Sequence, residues 1–510
     1  MILIFKKIIF LFIILKFKSN KNLSYLDLNF RKIDFTNYRQ VKRFIFNKDF
    51  YKSDNKIIHN FDFLNFSNKL GGKIGINLSK ISIFGWFQIN KNKLGFPWFE
   101  DLSSKRLINL LYNYEYINSS STINDKKKLD FIIYFHIQRI LFDFNTKKIT
   151  NFTSFDLKAY LLASSIVKKI NRKKIYYVKF IVDNQIDKLG MHRSYNILEH
   201  SKYINNLREM KNILLFFKIE DSSLFDETIL KMTSILNEYF HSDGSIPLFN
   251  GSNNIYTKMI YNSLNKESYL KKREFINVEN GIAFYADRNK RLFFDVVQPN
   301  MDVINSNLNA GTLSFELSAF GEKIITNCGA SESLGKNPEY LRYSAAHSTI
   351  ILQNTNISEI KEGNPHIQYP QSVVFRKEIA EQKEILEGSH NGYLKKFKKI
   401  IKRKLIIFKN INKLEGEDNF ISYKDDKNRL IYHIRFHLAN DMALNFTNNK
   451  KTVILKTKLN NIWLFKSDSE LKIEDSILVD NNNTKLTKQI VIKGILSEKK
   501  ILKKWSLQKI

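Results

Sequence analysis

NSNLNAGTLSFELSAFGEKIITNCGASESLGKNPEYLRYSAAHST, residues 305–349, sets the secondary-structure period of the second half of the chain. Apolar and polar residues alternate through Thr312–Ala319, Gly321 offers a turn, and the strand-like run resumes at Glu322–Thr326. That is the pattern of a β-hairpin with one buried face. A polar elbow follows and ends in Ala345-Ala346-His347-Ser348-Thr349.

Runs of the same period, separated by Asn, Asp and Gly, recur from about Phe275 onward: GIAFYADRNKRLFFDVV (281–297), QSVVFRKEI (371–379), KKIIKRKLIIFKN (398–410), LIYHIRFHL (430–438) and KTVILKTKLNNIWLFKS (451–467). Short alternating strands at this spacing predict an antiparallel β-sandwich in which each sheet buries one face. Upstream, from about Ser24 to Tyr269, the period is helical. Ser104–Ile117 puts Leu107, Leu110, Leu111 and Tyr114 on one face behind a serine suited to cap it, and similar patterns follow at Asp130–Phe144, Asp156–Ile170, Ile197–Ile219 and Ser223–Phe240. Pro97 is the only proline before Pro247, which permits long helices, stacked as hairpins in an arc.

A chain of 510 residues is too long for one core, so two domains of roughly 200–250 residues are expected. We place a hydrophobic segment at 1–23, a helical domain at 24–272 and a sandwich at 273–510. With 43% hydrophobic residues and 26% charged, the composition is that of a folded protein. The 82 Lys and Arg against 50 Asp and Glu give +32, a balance suited to an acidic polymer. The lysines are scattered, though, and the densest basic run, Lys395–Lys404, alternates with apolar residues as a strand with one solvated face would. Nucleic acid is therefore not expected as a partner. Cys328 is the only cysteine, which excludes an intrachain disulfide and reads as a small buried hydrophobe. Lys6 and Lys7 precede an apolar run, Ile8–Leu15, for which an export signal, a membrane-surface anchor and a buried first helix are all open readings. No phosphate-cradling glycine loop, Cys-x-x-Cys cluster, His-Glu-x-x-His helix or Gly-x-Ser-x-Gly elbow occurs, so nucleotide enzymes, zinc proteases and serine hydrolases lack support.

The quoted run resembles the C-terminal domain of the heparinase II/III-like family. Members usually carry His-x-His-Ala-Asp or His-Ala-Gly ahead of Leu-Ser-Phe-Glu-Leu, then Val-Asp-x-Gly or Val-Asn-Cys-Gly, then Ala-Ala-His-Asn/Ser-Thr. Here the two histidine positions read Asn307 and Asn309, the aspartate position reads Asn327, and His347 is kept. Separated segments add to the likeness: Ser242–Asn250 (SDGSIPLFN), SHNGY at 389–393, LEGED at 414–418, Asn151 ahead of Asp156-Leu157-Lys158-Ala159, and Gly190-Met191-His192-Arg193-Ser194. The resemblance implies an incomplete (α/α) toroid of helical hairpins followed by an antiparallel β-sandwich, with an acidic-glycan cleft between them. It implies a lyase that cleaves uronic-acid polysaccharides by β-elimination, in a cell-envelope, periplasmic or membrane-associated setting, without a cofactor.

That reaction needs the sugar carboxylate neutralised, a base for the C5 proton and an acid for the leaving oxygen. The resemblance gives the neutralising place to Asn151, whereas the base and acid places read Ile197 and Asn307, neither of which titrates usefully. His192, Tyr195 or His200, each a few residues away, are the candidate substitutes. Arg193, Trp86, Arg435 and His437 are candidates for holding sugar, the last two sharing one strand face with His433. Many members also hold a structural zinc with two histidines and an aspartate. Asn309, Asn327 and His347 make a poor zinc site, and we expect them to hydrogen-bond to one another in its place. Loss of the histidines leaves a second reading open, a catalytically silent glycan-binding or envelope-assembly protein.

Overall fold

The computed structural model describes residues 41, 42, 45, 56–93, 95–98, 101–254, 260, 261, 264, 281–299, 308–331, 339–361, 364–423, 429–480, 483–496 and 500–510. The apolar run at Ile8–Leu15 lies outside them, and among the described residues no helix is long and apolar enough to cross a membrane. The chain divides into two compact units, residues 1–185 with 203–229, and residues 186–202 with 230–510. Segments 186–202 and 230–254, which the sequence pattern groups with the helices, thus belong to the unit that contains the strands.

The first unit is helical, and its helices begin where side chains satisfy their free amides. Thr122 accepts from Asp125 N ahead of Ile123–Thr146, and Asn171 accepts from Lys174 N ahead of Arg172–Asn184. Thr153 and Asp156 form a capping box at the start of Ser154–Ile166. The helix expected over Ser104–Ile117 is two, Leu102–Tyr112 and Tyr114–Asn118. Asn113 separates them because its side chain is drawn into bonds with Asn65, Asn68 and the Asn109 carbonyl, each 2.9 Å. Ser104 lies inside the first of the two and caps nothing; its hydroxyl donates to Asp156 Oδ1 at 2.5 Å. A second interhelical tie centres on the buried Glu209, with Lys158 Nζ 2.7 Å and the Tyr112 hydroxyl 2.5 Å from its Oε2.

The second unit holds two eight-stranded antiparallel sheets. One contains β1 (Gly281–Ala286), β2 (Lys290–Val296), β3 (Phe315–Ala319), β4 (Glu322–Thr326), β5 (Ile350–Leu352), β12 (Leu430–Leu438), β16 (Leu471–Asp480) and β17 (Asn483–Leu496). The other contains β8 (Val373–Ile379), β9 (Lys383–His390), β10 (Lys399–Phe408), β11 (Lys413–Ser422), β13 (Ala443–Phe446), β14 (Thr452–Lys456), β15 (Ile462–Ser467) and β18 (Lys500–Lys509). Strand order is β1-β2-β3-β4-β12-β17-β16, with β5 beside β12, and β13-β14-β15-β18-β11-β10-β9-β8. β6 (Glu359–Lys361) and β7 (Asn364–Gln368) form a separate hairpin.

The inner faces of both sheets share one apolar core in which Trp505 stacks on Phe315 at 5.5 Å and on Phe465 at 5.8 Å. Burying each such ring is worth about 1.5–3 kcal/mol. Gly416 makes room for the indole, since a Cβ there would lie 2.1 Å from Trp505 Cε2. Not all of the basic run faces water. Lys399 and Arg403 on β10 are buried, and Arg403 forms a two-pronged pair with Asp418 on β11 at 2.7 and 3.1 Å. Arg403 Nη1 donates onward to the carbonyls of Leu313 and Ser348, at 2.9 and 2.8 Å, and Trp505 Nε1 donates to Asp418.

Sequence alternation makes Ser314, Glu316 and Ser318 the polar face of β3, yet all three are fully buried. Residues 239–250 of the same unit cover them. Tyr239 bonds the Ile282 carbonyl at 2.6 Å and stacks on Phe293, while His241 reaches Ser318 and Glu316 at 2.9 Å each.

Candidate functional site

Of the residues the sequence nominates, Trp86 and Asn151 lie in the first unit and His192, Arg193, Tyr195, Asn309, Asn327, His347, Arg435 and His437 in the second. Asn307 falls outside the described residues.

Asn151 ends a short 3-10 turn, Ile149–Asn151, just ahead of the capping box. It is half-buried, and its Oδ1 accepts from Thr150 at 3.2 Å. Trp86 is not placed to stack on a sugar. It is fully buried, donates to His59 Nδ1 at 2.8 Å, and lies with Trp98 against the buried Arg106 guanidinium, 4.0 and 4.6 Å from the ring centroids. Arg106 Nε donates to His136 Nε2 at 2.7 Å, so this aromatic and imidazole group is an interior cage for one cation.

In the second unit a tight turn leads into the candidate residues. Asp187 Oδ1 accepts the amides of Leu189 and Met191 at 2.9 and 2.8 Å, and Gly190 adopts φ +95 where a Cβ would come within 2.9 Å of the Lys231 backbone. His192, half-buried, places Nδ1 2.8 Å from Ser194 Oγ, and burial lowers its pKa to about 4. His200 is spent: Nδ1 accepts the His192 amide at 3.1 Å and Nε2 donates to the Met232 carbonyl at 2.9 Å. Arg193 is exposed. Tyr195 adopts φ +49, a left-handed conformation that costs about 1–2 kcal/mol outside glycine. Its ring is buried, which raises the phenol pKa well above the ordinary value. Ile197, at the position the resemblance gives to a catalytic tyrosine, is fully buried and bonds Ser252 through its amide.

One buried residue that sequence reasoning left out joins these loops. Asn250, at φ +52 before Gly251, donates Nδ2 to the Tyr195 carbonyl at 3.3 Å and accepts the Asn309 amide on Oδ1 at 3.1 Å. Its carbonyl accepts from Asn196 Nδ2 at 2.9 Å, and Asn196 also caps the helix Ile197–Phe216. The Asn-Gly pair at 250–251 is the signal, because that dipeptide favours a left-handed turn.

Asn309, Asn327 and His347 do not bond to one another. Asn327 donates Nδ2 to Glu316 Oε1 at 3.1 Å and accepts the Ser348 amide on Oδ1 at 3.0 Å. The side chains of Asn309 and His347 are buried and hydrogen-bond to nothing among the described residues. His347 is packed against Gly311, where a Cβ would come within 3.0 Å of its ring, and burial lowers its pKa to about 4. Two neutral amides and one imidazole do not suit zinc, which takes imidazole, thiolate or carboxylate donors. Among the described residues no group of three or more His, Cys, Asp or Glu could hold a metal ion.

His437 offers nothing to a ligand: it is buried, with Nδ1 on Ser476 at 2.7 Å and Nε2 donating to the Ala345 carbonyl at 3.0 Å. Arg435 shares the outer face of β12, half-buried, its charge matched by Glu474 at 3.1 Å. Glu316, also missed, is the most connected carboxylate of the sheet. It receives His241, Lys323 at 3.3 Å, the Leu248 amide at 3.2 Å and both Asn327 donors, and Lys323 with His241 holds its pKa down to about 2 against burial. Asp295 on β2 is the contrasting case. It accepts only the Val297 amide among the described residues, and burial pushes its pKa up to about 7.

Residues 278–506 match the heparinase II/III-like C-terminal family. A comparison with curated protein sequences found no match. Among solved structures the chain is similar to heparinase III, with 11% identity, a TM-score of 0.74, and 98% of this chain and 89% of that one covered. It is also similar to heparan sulfate lyase HepC from Pedobacter heparinus, with 14% identity, a TM-score of 0.58, and 95% and 84% covered. At such identities the likeness speaks for the fold, an incomplete (α/α) toroid followed by an antiparallel sandwich. The domain match rests on the sequence itself and identifies residues 278–506 as a heparinase II/III-like C-terminal domain, carried on a chain whose fold is that of heparinase III.

Proposed function

We propose that this protein is a polysaccharide lyase-like protein that acts on an acidic, uronic-acid glycan by β-elimination. The observation that carries the reading is the likeness to heparinase III along nearly the whole chain, joined to a C-terminal domain of the same family. Asn151 supports it as a neutral donor near a helix start, of the kind that offsets a sugar carboxylate. Arg193, which is exposed, supplies positive charge for the same ligand class, whereas the Arg435 charge is already matched by Glu474. Proton transfer falls to His192, neutral at pH 7 and close to Ser194, and to Tyr195 beside it. Operation at a cell envelope fits the basic, signal-like N-terminus.

A second reading is favoured by specific observations. The Tyr195 phenol is buried and His200 has both nitrogens committed, so two of the three substitutes are poor proton carriers at neutral pH. The protein is then a silent glycan binder that keeps the lyase fold. Incubation with heparan sulfate, alginate and other uronic-acid polymers, followed by ultraviolet absorbance of the unsaturated product, separates the two. Product from any polymer is the expected result. Binding without product assigns the silent role, and neither binding nor product refutes both readings.

A further inference from the structure

The loops that carry Asn309, Asn327 and His347 are held together, and what holds them is visible. Ala310 N donates to the Arg342 carbonyl at 2.8 Å, Ser344 Oγ to the Ala310 carbonyl at 2.7 Å, and Thr349 Oγ1 to the Thr312 carbonyl at 2.8 Å. Asn327 completes the set and does so in one orientation only. Its Nδ2 faces a carboxylate, which must accept, and its Oδ1 faces the Ser348 amide, which must donate. An aspartate could serve Ser348 but would meet Glu316 as a like charge at about 3 Å, so that one of the two would have to hold a proton that the amide makes unnecessary.

The Glu316 carboxylate then carries its links outward to the buried Leu248 amide and His241 and to the partly buried Lys323. The Asn309 side chain makes no hydrogen bond among the described residues and can be exchanged without breaking one; its backbone amide is the group that donates, to Asn250 Oδ1.

We infer that Glu316, acting through the side-chain amide of Asn327, is the tie that binds the outer face of this sheet to the loop ending at Ser348 and to residues 241–248, and that it does so without a metal. The chemistry is consistent: an amide donor at 327 meets the Glu316 carboxylate directly, where an acid at that position would need a proton or a metal cation between the two. The inference concerns cohesion of the sandwich, so a silent protein answers the test as well as an active one.

The experiment uses the full chain, metal analysis and thermal unfolding with EDTA or with one equivalent of zinc. The natural protein is expected to carry less than about a tenth of an equivalent of zinc and to keep its Tm within about 1 °C under both conditions. Asn309→His with Asn327→Asp, which joins His347 to two stronger ligands, is expected to melt several degrees lower in EDTA, on the order of 3–8 °C. It should bind one zinc and recover that loss when zinc is added. Glu316→Gln is expected to melt lower by a similar amount, with zinc making no difference. Stoichiometric zinc in the natural protein, a chelator-dependent Tm, an unchanged Tm for Glu316→Gln, or a double variant indifferent to zinc would each overturn the inference.

Discussion

Asp295 and Glu316 lie on neighbouring strands of one sheet, both buried, and behave in opposite ways because Glu316 has cationic partners and several donors whereas the Asp295 carboxylate has one backbone amide among the described residues. A carboxyl whose folded pKa is raised to about 7 from an ordinary value of 3.8 destabilises the protein as pH rises between those values, since the folded state holds a proton that the unfolded state has released. Asn at this position keeps the Val297 contact and carries no charge. Asp295→Asn is therefore expected to stabilise the protein by about 1–3 kcal/mol at pH 8 and by much less at pH 4, read from denaturant midpoints at the two values. Equal effects at both would refute the assignment. Neither carboxylate was legible as special in the sequence. The alternation of Ser314, Glu316 and Ser318 correctly gave a strand, but whether its polar face meets water or another segment depends on residues 239–250, which lie far away along the chain. Trp86 and His437 failed as ligand contacts for the same reason: a sequence shows that a side chain could bind a sugar, not that Arg106 or Ser476 already occupies it.

Among elements, β10 shows how the two sheets are fastened. Arg403 pairs with Asp418 on the adjacent strand and donates to carbonyls at Leu313 and Ser348, which flank β3 and β5 of the opposite sheet. Removing one partner leaves a buried charge without its mate, a loss of about 3–5 kcal/mol, whereas replacing both by apolar residues of similar size avoids it. Arg403→Met and Asp418→Leu should each cost that much in urea unfolding, with the double variant costing less than the sum of the two. A strictly additive double variant would mean the pair is not a unit. The strands were readable in part from period-two runs: β10, β12, β14 and β15 fall inside the predicted segments, whereas β9, β11, β13, β16, β17 and β18 went unnamed. Helices were likewise legible in part. The helices Gly72–Asn90 and Arg172–Asn184 went unnamed, and the break at Asn113 depends on Asn65 and Asn68, more than forty residues upstream.

At the scale of the whole molecule, buried histidine dominates the response to acid. His241 and His347 are lowered to about 4 and His200, His390 and His437 to about 3, all by burial in the second unit. A depressed folded pKa means stability that is present above the unfolded value near 6.5 and is lost as pH falls toward the folded value. Each such group costs up to about 1.4 kcal/mol per pH unit, so the set removes roughly 7 kcal/mol per unit, comparable to the entire stability of a domain. Loss of the native circular dichroism spectrum is expected near pH 5, and a protein still folded at pH 4 would contradict the burial of these rings. The division of the chain has a separate consequence. It passes from one unit to the other three times, after residues 185, 202 and 229, and the family match begins only at 278. No single scission can therefore separate an intact helical half from an intact strand half, and the residues that roof Glu316 would be left on the wrong side of a cut at the family boundary. Swapping one contiguous gene segment at any single point would therefore split at least one of the two units.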